Sequence, residues 1–255
     1  ETYLGYHYLS GLNLVEKFQK HLKSFKINQI LSKVKKVEKK RNGFLVKTAK
    51  GNYLAKAVIV ASGRKFKRLG VDGEDKLENR GVSYCAACDG VLFKRKVVAI
   101  IGGGRSGLLS SLFIKDLVKK IYLVESQPQL GGTKAWREAV EDASNIEILT
   151  GAKTLKIIGK DKVEGVLVKH NGKEKNLKVD GVFIEVGYMP NTEFLKGLVK
   201  LNDRGEVIVD KENRTNVSGI FAAGDCTDIR EKQVIVAAGE GSKALLSTMI
   251  FLGAY

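Results

Sequence analysis

The chain has 255 residues, of which 44% are hydrophobic and 28% charged, which is typical of a soluble globular protein of one or two domains. No signal peptide opens the chain and no apolar run reaches the length needed to cross a bilayer. We therefore expect a cytoplasmic protein without a membrane partner. The three cysteines, Cys85, Cys88 and Cys226, are too few for a secreted disulfide scaffold.

The net charge of +16 raises the question of a nucleic-acid partner. Nucleic-acid-binding proteins usually gather Lys and Arg on one face, with aromatic residues nearby for stacking on bases. Here the lysines are spread over most segments, and the densest run, Lys33 to Arg41, alternates with Val34 and Val37. This alternation predicts a half-buried strand with a solvated outer face. We expect no nucleic-acid partner, but an electrostatic preference for acidic partners.

The first segment predicts a helix followed by a small sheet. Apolar residues recur at four-residue spacing within Asn13–Leu22, the pattern of an amphipathic helix. From residue 30 to 60 the period changes to two, with turn signals at Asn42-Gly43 and Gly51-Asn52. These residues predict an antiparallel meander that leads into a buried strand ending in "VIVASG".

The stretch "SYCAACDG" places Cys85 and Cys88 two residues apart, with Asp89 directly after them. The thiols could be a redox couple, half of a zinc site, or two core residues. A structural zinc site needs four ligands, and neither Cys226 nor the histidines have ligand spacing, so we expect no metal. A C-x-x-C pair beside a βαβ unit in a cytosolic protein favours reversible disulfide chemistry. The neighbouring acid can move a proton during thiol–disulfide exchange.

A βαβ unit follows the cysteines, and its first turn reads Gly102-Gly103-Gly104-Arg105-Ser106-Gly107. In a G-x-G-x-x-G turn between strand and helix, the first glycine permits the tight turn. The second lets a pyrophosphate approach the backbone, and the third allows close packing of the helix. The helix N-terminus then offers free N–H groups to the phosphates. Glu125 ends the next strand, where a carboxylate binds ribose hydroxyls and favours NADH over NADPH. The alternative is a solvated strand-end glutamate.

The rest of the chain repeats part of this pattern. A second meander spans residues 153–179 and leads into "VFIEVG", which ends in Gly187 and parallels the earlier "VIVASG". This duplication predicts two related nucleotide-binding halves. In "GIFAAGDCTD" the pair Gly224-Asp225 ends a strand and can place a carboxylate on cofactor hydroxyls. The alternative is an ordinary turn, which has the same sequence pattern. Cys226 is interpreted as a small apolar core residue.

Together these motifs resemble the low-molecular-weight thioredoxin reductases, which are FAD-dependent pyridine nucleotide-disulfide oxidoreductases. The resemblance rests on the order of "CAACDG", the glycine fingerprint, "VGYMPNT", "GIFAAGDCTD" and "KQVIVAAGEGSKA". It implies a homodimeric flavoprotein that transfers electrons from NAD(P)H through FAD to the cysteine pair and then to a thioredoxin-like protein. In such enzymes the nicotinamide domain rotates, so that either NAD(P)H or the disulfide reaches the flavin.

The resemblance also implies a role for individual residues. Cys88 faces the flavin, Cys85 exchanges with the protein disulfide, and Asp89 is the acid. The residues implied for FAD are Ser62, Gly63, Gly224, Asp225, Gln233 and Val234. Those for NAD(P)H are Gly102, Gly104, Arg105, Ser106, Gly107, Glu125 and Gly187.

The expected fold is α/β, with two Rossmann-like three-layer nucleotide-binding domains that each carry an antiparallel meander. The FAD domain is expected at residues 1–80 and 213–255, and the NAD(P)H domain with the disulfide at 81–212.

The sequence departs from the family pattern in two places. The N-terminal glycine fingerprint that holds the ADP half of FAD is missing, together with roughly the first forty residues of the pattern. Since Ser62, Asp225 and the motif of the C-terminal helix are retained, we expect a truncated FAD domain rather than a variant that cannot hold FAD in the usual way. NADPH-using members carry a His-Arg-Arg group where this chain has Glu125, Ser126 and Gln127. This departure favours NADH, or weak use of either nicotinamide.

Two alternatives stay open at this point. The same redox motif suits a reductase for a peroxiredoxin or a glutaredoxin-like protein. A different class of protein would be a non-catalytic nucleotide-binding redox sensor that has lost FAD binding.

Overall fold

The computed structural model describes residues 3–7 and 9–255, which form two compact units. One unit consists of Glu1–Lys65 and Met189–Tyr255, and the other of Phe66–Tyr188. We call them the discontinuous unit and the central unit. The domain borders that the sequence predicts, after residues 80 and 212, stay a prediction. The assignment of a cofactor to each domain stays a prediction.

The discontinuous unit begins with the predicted helix and meander. Helix α1 spans Gly11–Leu22, and the Ser10 Oγ caps it by accepting a hydrogen bond from the Asn13 N–H at 3.2 Å. Three antiparallel strands follow, β1 (Val34–Lys40), β2 (Gly43–Thr48) and β3 (Asn52–Ala55). Val37 is buried while the neighbouring lysines are exposed, which confirms the half-buried strand. Strands β4 (Val58–Val60) and β5 (Arg64–Phe66) end this segment.

The central unit is built on a parallel sheet with the order β6-β13-β7-β8-β9. Its first part contains α2 (Glu74–Leu77), β6 (Val82–Ser83), α3 (Ala86–Asp89), a 3-10 turn at Gly90–Phe93, β7 (Val97–Ile101), α4 (Arg105–Ile114), β8 (Lys120–Val124), α5 (Lys134–Glu141) and β9 (Ile146–Leu149). An antiparallel meander follows, made of β10 (Lys153–Ile158), β11 (Gly165–His170) and β12 (Lys173–Lys178). Strands β13 (Gly181–Ile184) and β14 (Tyr188–Pro190) complete this part of the chain.

Both faces of the parallel sheet are covered, which explains why its strands are apolar throughout rather than alternating. Val98 and Ile100 point into one core with Leu108 and Ile114 of α4. On the other face, Ala99, Val182 and Ile184 pack with Val166 and Val168 of the meander. This arrangement gives three layers: helices, parallel sheet and meander.

The discontinuous unit ends with a smaller parallel pair and a long helix. Strand β15 (Ile220–Ala222) pairs in parallel with β4, and both are followed by tight turns. After 3-10 turns at Glu193–Leu195 and Gly224–Cys226, helix α6 spans Val234–Phe251. The buried Cys226 lies in the core of this unit, as predicted for an apolar residue. The α/β class with parallel strands and meanders is therefore confirmed.

Helix α6 is an exception to the expectation that no apolar run could span a bilayer. Its 18 residues have a mean hydropathy of 1.4, so length and composition alone would permit a span. However, Glu240 and Lys243 form an ion pair of 2.9 Å within the helix, and Glu240 accepts a hydrogen bond from the buried Asn213. Because α6 carries charged residues and packs on β15, its composition is weak evidence for a membrane span.

Candidate redox and nucleotide-binding site

The cysteine pair lies directly after strand β6, at the start of helix α3. Cys85 and Cys88 form a disulfide. The carbonyl oxygen of Cys85 accepts hydrogen bonds from the N–H groups of Cys88 and Asp89 at 3.2 and 3.0 Å. This single helical turn brings both sulfurs to the same side of the backbone. Cys88 is exposed and Cys85 half-buried, so the disulfide is open to exchange with an outside thiol.

Asp89 is held in place by a residue to which the sequence analysis gave no role. Ser83 is 8% exposed, and its hydroxyl donates to Asp89 Oδ2 at 2.7 Å. The Ser83 Oγ in turn accepts a hydrogen bond from the Cys85 N–H at 3.1 Å. Ser83 therefore connects the acid to the first cysteine. A small hydroxyl residue at the end of a strand, two positions before a C-x-x-C pair, is the signal that could have identified it.

Tyr84, between Ser83 and Cys85, connects the loop that carries the cysteines to other residues of the central unit. The Tyr84 hydroxyl donates to Glu74 Oε1 at 2.7 Å and accepts from Arg68 at 2.6 Å. Burial, together with the bond to Glu74, raises the pKa of Tyr84 well above its ordinary value, so the phenol stays protonated. Glu74 also accepts hydrogen bonds from the N–H groups of Leu69 and Gly70, at 3.0 and 2.6 Å.

A cavity of about 860 Å³ opens at the carboxyl ends of β7, β8 and β13. Ligands of open parallel sheets bind at this edge. The cavity is lined by residues that the sequence assigned to NAD(P)H, namely Gly102, Gly104, Arg105, Ser106, Glu125 and Gly187. The cavity, the disulfide and Asp89 all belong to the central unit.

The three fingerprint glycines have different surroundings. Gly102 has φ +109°, and a Cβ added to it would lie 2.5 Å from the carbonyl oxygen of Glu185. A Cβ on Gly107 would lie 1.7 Å from the carbonyl oxygen of Gly102, so this glycine lets α4 pack against the turn. A Cβ on Gly104 would meet nothing within 4 Å, which leaves open space over the backbone. The turn therefore fits a ligand that approaches at Gly104.

Glu125 is fixed at the wall of this cavity. Its Oε2 accepts a hydrogen bond from the Gly103 N–H at 2.6 Å, and its Oε1 accepts one from the Gln127 N–H at 2.7 Å. The carboxylate is thus oriented beside the glycine turn, with Ser126 and Gln127 rather than cations next to it. The Arg105 guanidinium lies over the Trp136 ring, 5.3 Å from its centroid. The lysines that line the cavity are Lys67 and Lys153.

The residues assigned to FAD all lie in the discontinuous unit, near the ends of β4 and β15. Ser62 Oγ donates to the carbonyl oxygen of Asn191 at 2.6 Å, and Asn191 Nδ2 donates back to the Ser62 carbonyl oxygen at 3.0 Å. Gly63 has φ +61° and open space where a side chain would be. Gly224 has φ +73°, with Ala237 of α6 only 3.2 Å from the position of a Cβ.

Asp225 and the start of α6 could receive a cofactor. Within residues 3–7 and 9–255 the Asp225 carboxylate has no hydrogen-bond or ion-pair partner, whereas its carbonyl oxygen accepts from Arg64 Nε at 3.1 Å. Gln233 and Val234 begin α6, are exposed, and leave the first N–H groups without a side-chain cap. A free carboxylate, an open glycine turn and uncapped N–H groups fit the polar part of a dinucleotide.

Comparison with known proteins agrees with this geometry. The profile of the family described as "Pyridine nucleotide-disulphide oxidoreductase" matches residues 6–241. The chain belongs to this family. The resemblance drawn from the motifs is therefore confirmed. The chain also resembles solved structures of thioredoxin reductases.

Two groups of relatives illustrate the match. The chain is 40% identical over 200 residues to a subunit of the alkyl hydroperoxide reductase of Staphylococcus aureus (strain Mu50), an alignment that covers 78% of this chain and 39% of that protein. It is 34% identical over 262 residues to a protein named NADH dehydrogenase in Ferdinandcohnia aciditolerans, covering 99% of this chain and 49% of that protein. The chain thus spans less than half the length of these curated relatives.

Solved structures of this pyridine nucleotide-disulphide oxidoreductase family match the whole chain. Thioredoxin reductase of T. acidophilum has a TM-score of 0.83 and 38% identity, with 100% of this chain and 84% of that chain covered. Lactococcus lactis thioredoxin reductase has a TM-score of 0.87 and 27% identity, with 100% and 85% covered.

Proposed function

We propose that this chain is a flavoprotein disulfide reductase that transfers electrons from NAD(P)H to the disulfide of a small protein. The observation that supports this most directly is the Cys85–Cys88 disulfide, with Asp89 held beside it and a cavity lined by the glycine turn in the same unit. A non-catalytic sensor would have no need for an acid oriented toward the cysteine turn.

The proposed chemistry begins with the reduced cysteine pair. The Cys85 thiolate attacks the partner disulfide, which forms a mixed disulfide and releases one partner thiolate. Asp89 supplies the proton for this leaving thiolate. Cys88 then gives its proton to Asp89 and attacks the mixed disulfide as a thiolate, which restores the Cys85–Cys88 bond and releases the second partner sulfur as a thiolate that takes this proton from Asp89. The chain is oxidised by two electrons and the partner disulfide is reduced by two.

The electrons return to the pair from the nicotinamide. FAD, when bound, supplies the two-electron relay between NAD(P)H and the Cys85–Cys88 disulfide, and Cys88 is the cysteine proposed to face it. The residues proposed to hold FAD are Ser62, Gly63, Gly224, Asp225, Gln233 and Val234. The turn from Gly102 to Gly107 is proposed to bind the NAD(P)H pyrophosphate, with Arg105, Ser106 and Gly187 on the cavity wall.

NADH is the proposed electron donor rather than NADPH. Glu125 is anchored by two backbone N–H groups, so its carboxylate is positioned to accept hydrogen bonds from the ribose and to repel a 2′-phosphate. The test compares kcat/KM for the two nicotinamides, and we expect a higher value for NADH. A value for NADPH well above that for NADH would overturn this assignment.

The protein partner is proposed to be thioredoxin-like. The solved structures that match the chain are thioredoxin reductases, whereas the relative with 40% identity is part of an alkyl hydroperoxide reductase. That second similarity supports a peroxiredoxin as the alternative partner. A homodimer in the cytoplasm is also proposed, and light scattering of the purified chain would check the dimer.

The deciding experiment uses the full purified chain. We expect a flavin spectrum, as isolated or after addition of FAD, and NADH-dependent reduction of DTNB that requires a thioredoxin. Cys88→Ser should keep the flavin and lose disulfide reduction. Protein that binds NADH but no flavin would favour the sensor, and turnover only with a peroxiredoxin would favour the alternative partner.

A further inference from the structure

A buried carboxylate in the discontinuous unit lies between two cations. Glu206 is 4% exposed, and its Oε1 is 2.8 Å from Arg64 Nη2 and 3.1 Å from Lys232 Nζ. Its Oε2 accepts a hydrogen bond from Asn202 Nδ2 at 2.8 Å. Both carboxylate oxygens are therefore occupied, by donors from three separate parts of the chain. Removing one member of such a buried group leaves the others as uncompensated charges.

Asn202 fixes the position of Glu206 through the backbone as well. The Glu206 N–H donates to Asn202 Oδ1 at 3.0 Å, and the Glu206 carbonyl oxygen accepts from the Asn202 N–H at 2.9 Å. Burial by itself would raise the pKa of the Glu206 carboxyl, but the hydrogen bond from Asn202 and the two neighbouring cations hold it below its usual value. The carboxylate is therefore ionised at neutral pH and held in one place.

Both cations also hold the turn that carries Asp225. Arg64 Nε donates to the Asp225 carbonyl oxygen at 3.1 Å. Lys232 Nζ donates to the carbonyl oxygens of Asp225 and Thr227 at 3.4 and 2.5 Å. Arg64 and Lys232 therefore each connect the buried Glu206 carboxylate to the backbone of this turn.

The backbone of Val207 holds the rest of the same turn, residues 225–227, which we call the Asp225 turn. The Val207 N–H donates to the Cys226 carbonyl oxygen at 2.9 Å, and the Val207 carbonyl oxygen accepts from the Asp228 N–H at 3.0 Å. All three carbonyl oxygens of the Asp225 turn therefore accept hydrogen bonds. Within residues 3–7 and 9–255 the aspartate carboxylate of the turn has no such partner, so it is left available for a ligand.

We propose that Glu206 is a positioning residue that fixes the Asp225 turn through Arg64 and Lys232 and so holds the Asp225 carboxylate in place for FAD. This proposal rests on the proposed function, which assigns that carboxylate to FAD. Without the charge of Glu206, the two cations would lose their shared anion and repel each other, and their bonds to the turn would weaken. A carboxylate that is no longer held in one direction binds its ligand less tightly, because it must be ordered on binding.

Three variants of the full chain test this role. Glu206→Gln keeps the size of the side chain and removes its charge. Glu193→Gln is the matched control, because Glu193 also pairs with a lysine of the discontinuous unit, Lys65 at 3.1 Å, but on the surface. Lys232→Met keeps the length of the lysine and removes its ammonium group, and it serves if Glu206→Gln does not fold.

The first readout is amide hydrogen exchange of the peptide that contains the Asp225 turn, measured without FAD. The turn should exchange faster in Glu206→Gln and in Lys232→Met than in the original chain, whereas Glu193→Gln should leave it unchanged. The second readout is the Kd for added FAD, measured from the quenching of flavin fluorescence. We expect Glu206→Gln to raise this Kd about tenfold. Glu193→Gln should stay within about twofold of the original chain, as expected for an exposed ion pair.

A double-mutant cycle with Asp225→Ala separates positioning from a general loss of stability. If Glu206 acts through the Asp225 carboxylate, Glu206→Gln should change the Kd for FAD by less than about twofold once that carboxylate is absent. The same tenfold loss in both backgrounds would overturn the proposal, and so would unchanged hydrogen exchange of the turn in Glu206→Gln. Failure of the proposed function would look different: the original chain would bind no FAD, while the turn would still exchange faster in Glu206→Gln than in Glu193→Gln.

Discussion

Ser83 links the acid and the first cysteine through one hydroxyl. If that link orients Asp89 for proton transfer, Ser83→Ala should slow reduction of a thioredoxin disulfide by the dithiol form. We expect a loss of about tenfold, below the range of ~10²–10⁴ for removal of a whole acid–base group. Single-turnover mixing of pre-reduced chain with oxidised thioredoxin measures this step. Ser83→Thr keeps the hydroxyl and should retain the rate, and an equal loss in both variants would contradict an orienting role.

Glu185 also predicts how the stability of the central unit changes with pH. Its native pKa is raised above the ordinary value of 4.5 by burial, so between those two values the native state binds more protons than the unfolded state. The free energy of unfolding should therefore fall as the pH rises from 4.5 through the native pKa. Glu185→Gln does not titrate, so this fall should be missing from its curve.

The only tryptophan, Trp136, lies on α5 in the central unit, and its fluorescence can follow urea unfolding there. Measured between pH 4 and 8, the difference in unfolding free energy between the original chain and Glu185→Gln should decrease with pH. A constant difference would mean that the carboxyl does not titrate differently in the two states.

The contrast between Ser83 and Glu185 shows how far the sequence could lead at this site. Cys85, Cys88 and Asp89 are neighbours in the chain, so their proximity follows from local geometry alone, and the redox interpretation needed no fold. The bond from Ser83 to Asp89 is equally local and was overlooked. The hydrogen bond from Ser110 to Glu185 joins residues that are 75 positions apart in sequence, and no spacing rule reveals it because parallel pairing of β13 with β7 creates it.

At the scale of elements, the turn between β7 and α4 predicts different effects on stability for substitutions at Gly102 and Gly104. Gly102→Ala should destabilise the central unit by roughly 1–3 kcal/mol, because the left-handed φ and the nearby Glu185 carbonyl oxygen both disfavour a Cβ. Gly104→Ala should leave the unfolding free energy within about 0.5 kcal/mol, because its Cβ meets open space.

The affinity for NADH should respond to Gly104→Ala, the variant whose stability is expected to stay nearly unchanged. Gly104→Ala should raise the Kd for NADH at least about tenfold, since the added methyl group occupies the space where the pyrophosphate approaches. Trp136 fluorescence can follow both unfolding and NADH titration. Unchanged NADH affinity in Gly104→Ala would place the phosphates elsewhere, while a stable Gly102→Ala would show that the turn relaxes without cost.

Regular periodicity predicted the long elements well and the short ones poorly. Both meanders, the βαβ unit and α6 were expected where they occur, since each has several residues with a consistent period. Strand β6 has only two residues and α3 only four, too few for any period to show. The borders between the two units, near Lys65 and Tyr188, lie at strands β5 and β14, which carry no change in composition that would mark a border.

The charge of the whole molecule bears on how a partner is found. Much of the excess of +16 falls within residues 1–65, where lysines far outnumber acidic residues and line the exposed face of β1. A net positive field raises the association rate of an acidic partner and is screened within about 8 Å at physiological ionic strength. This field should change neither the association rate of a small neutral substrate nor the rate of electron transfer within the chain.

We therefore expect kcat/KM for an acidic thioredoxin to fall about tenfold between low salt and 0.5 M NaCl, the effect of steering on association. NADH oxidation with a small neutral quinone as acceptor should change little over the same range. Lys35→Gln combined with Lys39→Gln, two exposed lysines of β1, should flatten the salt dependence without changing the quinone reaction. Equal salt dependence with both acceptors would show that salt acts on nicotinamide binding instead, and partner recognition would then depend on contacts close to Cys85 and Cys88.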